Sequence, residues 1–248
     1  MTWRNSYRFT AAAELLAAVF FALGMGQAAR AQELSVQPVN IFLGPGQRAT
    51  SLSVTNTGTK ETGFQVRTLD WNQKGDDDQL TASQIVVASP PLVTIGPGAT
   101  QVVRLILRQP PTDREATYRI LLDQLPPPPE AGVVHVVLRM SIPIFAMPQK
   151  HAAPHIQFHV ERTSDGVDLV GVNDGSSHEA LRDIVLATTD GRQLKAVANG
   201  SPYILAGSTR HWHIDAQGYV PKPEETLQLT ARGYVAPVNQ SVHLAATP

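Results

Sequence analysis

Histidine is the residue type in this sequence that could most readily bind a metal ion, and several of its eight copies are closely spaced. His151, His155 and His159 are four residues apart, and His211 and His213 are two apart. Residues two or four apart on a β-strand share a face, so such pairs could bind one ion. The chain has no cysteine, however, and no His-Glu-x-x-His motif. We therefore interpret the histidines as surface imidazoles and predict no metal site.

The acidic run Asp76-Asp77-Asp78 is the other candidate for ion binding, because carboxylate oxygens are calcium ligands. Three adjacent aspartates beside a glycine are more typical of a solvated turn. The sequence also lacks a Gly-x-Ser-x-Gly nucleophile motif and a phosphate-binding loop. We expect a protein that is not an enzyme and needs no cofactor.

The N-terminus has the pattern of a secretory signal peptide. Arg4 and Arg8 give a basic start, Leu15–Met25 is a short apolar run, and Ala29-Arg30-Ala31 is an Ala-x-Ala cleavage site. We predict a signal peptide over residues 1–31 and a mature chain that begins near Gln32, with an uncleaved anchor as the alternative. No other stretch approaches membrane length, so we expect no membrane insertion after cleavage. A formal net charge of −1 gives no electrostatic basis for nucleic-acid binding.

From residue 34 onward, apolar residues recur with a period of two. Thr50, Leu52 and Val54 alternate with small polar residues, and Gly/Pro turns such as Gly96-Pro97-Gly98 separate similar short segments. A change of composition falls between Pro148 and Pro154. The pattern predicts an all-β protein of two immunoglobulin-like, antiparallel β-sandwich domains in tandem, at an angle with a cleft between them. We assign the domains to residues 32–148 and 149–248.

One predicted strand, Val133–Phe145, has an unusually long apolar row. Five apolar side chains fall at every second position and therefore share one face. These residues are Val134, Val136, Leu138, Met140 and Ile142. The row faces either the core of its own domain or another protein, and the alternation alone does not decide between the two.

Several segments resemble the periplasmic chaperones of pilus assembly, the PapD-like proteins of chaperone–usher systems. Ser89–Arg104 is similar to the central signature of that family, and Glu115–Arg119 follows at the expected spacing. Leu138–Phe145 is similar to the end of the family's last strand, in the style of the archaic branch. The likeness extends over about Leu34 to Leu244.

The resemblance implies a function by donor-strand complementation. Pilus subunits of this kind are sandwiches that lack their last strand, which leaves an open sheet edge and a hydrophobic groove. A chaperone fills the groove with a strand of its own and delivers the subunit to an outer-membrane usher. The resemblance therefore implies a Gram-negative periplasmic protein whose five-residue row binds pilus subunits. A divergent relative, or a structural or adhesive β-sandwich module at the cell surface, is the alternative.

The sequence departs from the family where the terminal carboxylate of the subunit is usually held. The family uses an arginine of the first strand and a lysine of the last strand, at positions that correspond to Asn40 and Pro143 here. Neither residue carries a positive charge. We therefore expect a different carboxylate anchor and consider Asn40 and Arg139 as its candidate region.

Overall fold

The computed structural model of the protein describes residues 34–129, 131–132, 134–163, 166–197, 200–215, 218–219, 222 and 225–244. The predicted signal peptide lies outside these residues. Among the described residues every regular element is a β-strand, and no helix is long and apolar enough to cross a membrane.

The N-terminal domain consists of two sheets whose alternating side chains meet in one core. Its strands are β1 (Leu34–Gln37), β2 (Ile41–Leu43), β3 (Ala49–Asn56), β4 (Thr62–Lys74), β5 (Asp77–Ala82), β6 (Val86–Ser89), β7 (Leu92–Ile95), β8 (Thr100–Leu107), β9 (Ala116–Gln124) and β10 (Arg139–Ala146). One sheet has the order β1-β3-β8-β6, and the other has the order β2-β10-β9-β4-β5 with β7 also paired to β4. Fully buried residues such as Val54, Phe64 and Ile120 fill the space between the sheets.

The C-terminal domain has a second, separate core. Its strands are β11 (Ile156–Arg162), β12 (Val167–Asn173), β13 (Glu179–Ala187), β14 (Gln193–Ala196), β15 (Tyr203–Ile204), β16 (Thr209–Asp215), β17 (Thr226–Gly233) and β18 (Val238–His243). They form one sheet in the order β11-β12-β16-β14-β13-β17-β18, with β15 paired to β13. A parallel bridge from Val160 to Leu244 links the two ends of this sheet, which closes it around Leu186, Trp212 and Leu229.

The predicted fold class, two immunoglobulin-like domains in tandem, is confirmed, with two corrections in detail. The last strand of the N-terminal domain begins at Arg139 rather than at Val133. The sheets are also not wholly antiparallel, because β2 pairs with β10 in parallel. Both corrections concern β10: among the described strands none pairs with residues 134–138, and the end of β10 pairs with β2 in parallel.

A buried asparagine closes a turn in each domain. The side-chain amide of Asn56 donates to the carbonyls of Lys60 and Ile95, at 2.7 and 2.9 Å, and its oxygen accepts from the Gly58 N–H at 2.9 Å. Asn173 makes the equivalent set of bonds in the C-terminal domain. Both side chains are fully buried, and their hydrogen bonds satisfy backbone groups of the turns.

We predict that Asn56→Ala lowers the free energy of unfolding by about 1–3 kcal/mol, because the carbonyls of Lys60 and Ile95 lose their donor and the bond to Ile95 is buried. Urea unfolding followed by circular dichroism measures this change. Asn72→Ala, which removes an exposed amide on β4, is the matched control and should leave the midpoint unchanged. Equal effects of the two variants would contradict a structural role for Asn56.

Candidate partner-binding segment and cleft

The structure divides the predicted five-residue row into two parts. Val134 and Val136 are 90% and 82% exposed, and Leu138 is 38% exposed. Met140 is partly buried against the core of the N-terminal domain, and Ile142, only 4% exposed, is part of that core. Ile142 therefore cannot be offered to a partner, because its own domain already buries it. The apolar surface open to a partner is the segment 134–138, which we call the exposed segment.

The backbone edge of β10 is only partly covered. Strand β9 pairs with β10 along its whole length, whereas β2 pairs only with Ile144–Ala146. Among the described strands, none pairs with the outer edge of Arg139–Pro143. An uncovered edge of this kind is a template for pairing with a strand of another chain.

The hydrogen-bond register shows which backbone groups this edge presents. The Gln124 N–H donates to the Leu138 carbonyl at 2.9 Å, so even-numbered residues of β10 direct their backbone groups toward β9. Odd-numbered residues direct theirs outward. Pro143 is one of these, so its missing N–H removes no bond to β9. Arg139 and Ser141 present their N–H groups at the open edge.

An ion-pair cluster fixes the point where the exposed segment leaves the sheet. Arg67 Nη2 lies 2.7 Å from Asp123 Oδ2, and Arg139 contacts the other oxygen of the same carboxylate. Partial burial raises the pKa of Asp123, but the hydrogen bonds and charges of the two arginines outweigh burial, and the net pKa is lowered. Arg139 is therefore already paired within its own sheet.

The two predicted anchor residues lie in different places. The parallel register of Ile41 with Ile144 places Asn40 beside Pro143, at the cleft between the domains. Arg139 lies five residues before Ile144 in β10, roughly 17 Å away along the strand. The two predicted residues therefore do not form one site.

The cleft gains its positive charge from the C-terminal domain, which sequence reasoning missed. Arg182 and Arg232 are direct partners across β13 and β17, and with Asn40 they line a cavity of about 300 Å³. Asp183 pairs with Arg232 at 2.6 Å and has φ 53° at a β-bulge before Val185. Arg182 and Arg232 repel each other, because like charges are directly opposite. Asp183 offsets the charge of Arg232, and the three side chains together keep a net positive charge. The two arginines are far apart in sequence, and no local pattern connects them.

Stacked aromatic rings and one buried hydrogen-bonded pair join the domains at this cleft. His178 Nδ1 contacts both carboxylate oxygens of Glu115, at 2.8 and 2.9 Å, and these side chains are 5% and 0% exposed. The ring of Phe145 stacks on the imidazole with centroids 3.6 Å apart, and Phe42 stacks on Phe145. The interpretation of all the histidines as surface imidazoles was therefore wrong for His178, which is buried and stacks with Phe145 of the N-terminal domain and Tyr234 of the C-terminal domain.

The other candidate ion-binding residues are engaged with neighbouring protein groups. His159 pairs with Glu161 at 2.9 Å, and His213 pairs with Asp168 at 2.9 Å. Asp76 accepts from the His211 backbone N–H at 2.7 Å, so the acidic turn contacts the C-terminal domain rather than solvent alone. Within the described residues, no group of three or more His, Asp or Glu is arranged to hold a metal ion.

We predict a pH-dependent effect of Asp123→Asn. Because the folded-state pKa of Asp123 is lowered, its charged form stabilises the fold above the unfolded-state pKa, and this stabilisation is lost as the pH falls through the folded-state value. The variant should be less stable than the wild type by about 1 kcal/mol at neutral pH, with a smaller difference in strong acid. Urea unfolding at both pH values measures this. Asp113→Asn, which breaks a fully exposed pair with Lys150, is the control and should have no measurable effect. A difference that is independent of pH would contradict the ionic role.

Comparison with known proteins gives matches to one kind of protein. Residues 33–152 match the family model described as pili and flagellar-assembly chaperone, PapD N-terminal domain. A curated fimbrial chaperone of Escherichia coli K12, the uncharacterized YbgP, is 29% identical over 116 residues. That alignment covers 44% of this chain and 45% of the relative, so the match spans less than half the length of each protein.

Solved structures share the fold over most of the chain. A chain in the pre-assembly complex of the chaperone CsuC with the tip subunit CsuE, from archaic Csu pili of Acinetobacter baumannii, aligns with a TM-score of 0.62 at 20% identity. The alignment covers 88% of this protein and 100% of that chain. A chain in the complex of Salmonella enterica SafA pilin with the SafB chaperone aligns with a TM-score of 0.59 at 13% identity, covering 88% and 99%. Residues 33–152 therefore belong to the PapD N-terminal domain family of pilus-assembly chaperones, and the chain as a whole has the two-domain fold of these structures.

Proposed function

We propose that the protein is a chaperone that binds incomplete β-sandwich subunits of a pilus by lending them its exposed segment. The observation that carries this proposal is the combination of exposed apolar side chains just before β10 and an uncovered backbone edge on β10 itself. If the exposed segment continues β10 as a strand, Val134, Val136 and Leu138 lie on the same face as Met140 and Ile142, which pack in the core of the N-terminal domain. A partner that covers the first three side chains therefore extends that core without interruption.

Two physical contributions favour binding. Full burial of a valine or leucine side chain contributes roughly 1.5–3 kcal/mol, so the exposed segment offers on the order of 6 kcal/mol before the cost of association. Pairing of the β10 edge also satisfies the backbone groups of Arg139 and Ser141. A groove left open by a missing strand presents the complementary features, an apolar surface and an unpaired edge.

The relatives support this assignment by what they bind. The two solved chaperone structures described above are complexes, one with a tip subunit and one with a pilin. We propose that this protein acts in the same way in the periplasm, after removal of residues 1–31, and passes its subunit to an outer-membrane usher. In this proposal the protein acts by lending a strand to the subunit, which does not require catalysis.

We further propose that Arg182 and Arg232 bind the terminal carboxylate of the subunit. Both line the cavity that includes Asn40, the position where the family usually has a cation. Arginine binds a carboxylate through paired charge-assisted hydrogen bonds, which an asparagine amide cannot match in strength. Among the ion pairs between described residues, none includes Arg182, so its charge is available to a ligand.

The proposal is tested by co-purification from the native host. We expect the tagged full-length protein, isolated from the periplasm, to retain an incomplete β-sandwich subunit at one-to-one stoichiometry. Val136→Glu should abolish this retention, because a charge would enter an apolar groove, while the thermal midpoint stays unchanged since Val136 is 82% exposed. Mass spectrometry and thermal unfolding provide the two readouts.

The control for this experiment is Ile106→Glu, which places the same charge on an exposed apolar residue of the outer face of β8. It should retain the subunit. Recovery of the protein without a partner, or equal retention by both variants, would exclude the exposed segment as the binding site.

The anchor is tested with Arg182→Ala. We expect release of the subunit on dilution to be faster by about tenfold or more, the effect of losing a hydrogen bond to a charged group. Asn40→Ala should change the release rate little, and Arg104→Ala, which removes an exposed arginine of β8, should not change it. A large effect of Asn40→Ala combined with none of Arg182→Ala would place the anchor on the amide instead.

A further inference from the structure

A run of four prolines precedes the exposed segment and is the one feature of this region that the proposed function does not explain. Pro126–Pro129 follow the last residues of β9 and are all exposed. We propose that Pro126 and Pro128 keep the inner edge of the exposed segment unpaired, so that the segment cannot fold back on its own sheet.

The register of β9 with β10 identifies these two prolines. Arg139 is opposite Asp123, and the Gln124 N–H donates to the Leu138 carbonyl. Continued in the same register, residue 126 would face Val136 and residue 128 would face Val134. As at Gln124, even-numbered residues of this strand direct their N–H toward β10. Pro126 and Pro128 therefore lack the donors that would extend the ladder.

The path of the chain agrees with this register as far as Leu125, the residue before the first proline. The Leu125 N–H still donates to the Gly63 carbonyl at 2.8 Å, so β9 remains beside β4 through Leu125. The ladder to β10 is already weakened at its last position, because the Leu138 N–H donates to the side chain of Gln124 at 3.2 Å. Strand β9 ends at Gln124, and β10 begins at Arg139.

Proline also acts through the backbone conformation. Each residue that precedes a proline is restricted to extended or polyproline II geometry, and a polyproline II helix has three residues per turn. The pleat of a strand repeats every two residues, so the backbone groups of the tetraproline run do not stay in register with those of the exposed segment. This holds even though the proline carbonyls could accept hydrogen bonds. Strong apolar alternation would otherwise favour a long hairpin here.

The consequence concerns how a partner is bound. With the inner edge of the exposed segment free as well as the outer edge, a subunit can place one strand on each side of it. The segment can then fill a gap within the partner's sheet rather than add to its border. This step rests on the proposed function, whereas the effect of the prolines on the free protein does not.

The experiment compares two double variants of the full-length protein. Pro126→Thr with Pro128→Thr restores donors directed at the exposed segment, and threonine favours strands. We expect amide hydrogen exchange of Val134 and Val136 in the free protein to become slower by about tenfold, the effect of one or two net hydrogen bonds. Retention of the co-purified subunit should fall in the same variant.

The matched control is Pro127→Thr with Pro129→Thr, which removes the same number of prolines but directs the new N–H groups away from the exposed segment. Its exchange rates and subunit retention should match the wild type. Unchanged exchange in the Pro126 and Pro128 variant, or equal protection in both variants, would overturn the inference. Slower exchange with full retention would show that the inner edge is not needed for binding, and a wild type without any partner would refute the proposed function alone.

Discussion

The pairing of β10 with β9 is the interaction on which the rest of this structure depends. Its hydrogen bonds hold Met140 and Ile142 over the core of the N-terminal domain and stop at Leu138. Strand β10 thus completes one sandwich, and the exposed segment just before it leaves its apolar side chains uncovered. The backbone pairing ends while the apolar alternation continues. Part of the row is therefore buried in the core, and the other part is exposed. Under the proposed function, β10 stabilises the domain and the exposed segment before it binds the partner.

The cleft depends on a different kind of interaction, which is buried and crosses between the domains. The Glu115–His178 pair is almost inaccessible to water and is covered by Phe145, a residue of β10. Removing His178 would leave the buried carboxyl group of Glu115 without this hydrogen-bond partner, which is unfavourable. The Gln73 side chain donates to the Tyr203 carbonyl and accepts from the Leu205 N–H, and these two bonds add further links between the domains. The strand that offers the exposed segment therefore also contributes a side chain to the contact that positions the two arginines of the cleft.

The two arginines that give the cleft its charge lie next to a β-bulge of the C-terminal sheet. A regular β13 would continue its alternation through Asp183, but a bulge interrupts the register there and places this residue at positive φ. Bulges change the direction of side chains, and strained residues of this kind concentrate at functional sites. The carboxylate of Asp183 pairs with Arg232, which makes the close approach of Arg182 tolerable. Under the proposed function, the arginines of the opposite wall take the place of the cations that Asn40 and Pro143 do not supply.

The sequence alone determined the all-β class, the tandem arrangement of sandwiches and the family likeness, because each rests on local periodicity, turn residues and ordered short motifs, but it placed the start of β10 too early. It also identified the apolar row and the absence of charge at Asn40 and Pro143. Only the tertiary structure decided where that row becomes exposed, since the alternation of Val134 and Val136 is the same as that of Met140 and Ile142. Burial depends on what lies opposite a side chain, and here the opposite strand ends. The pairing of Arg182 with Arg232 and the burial of His178 were likewise decided by contacts between distant residues, which no local pattern encodes.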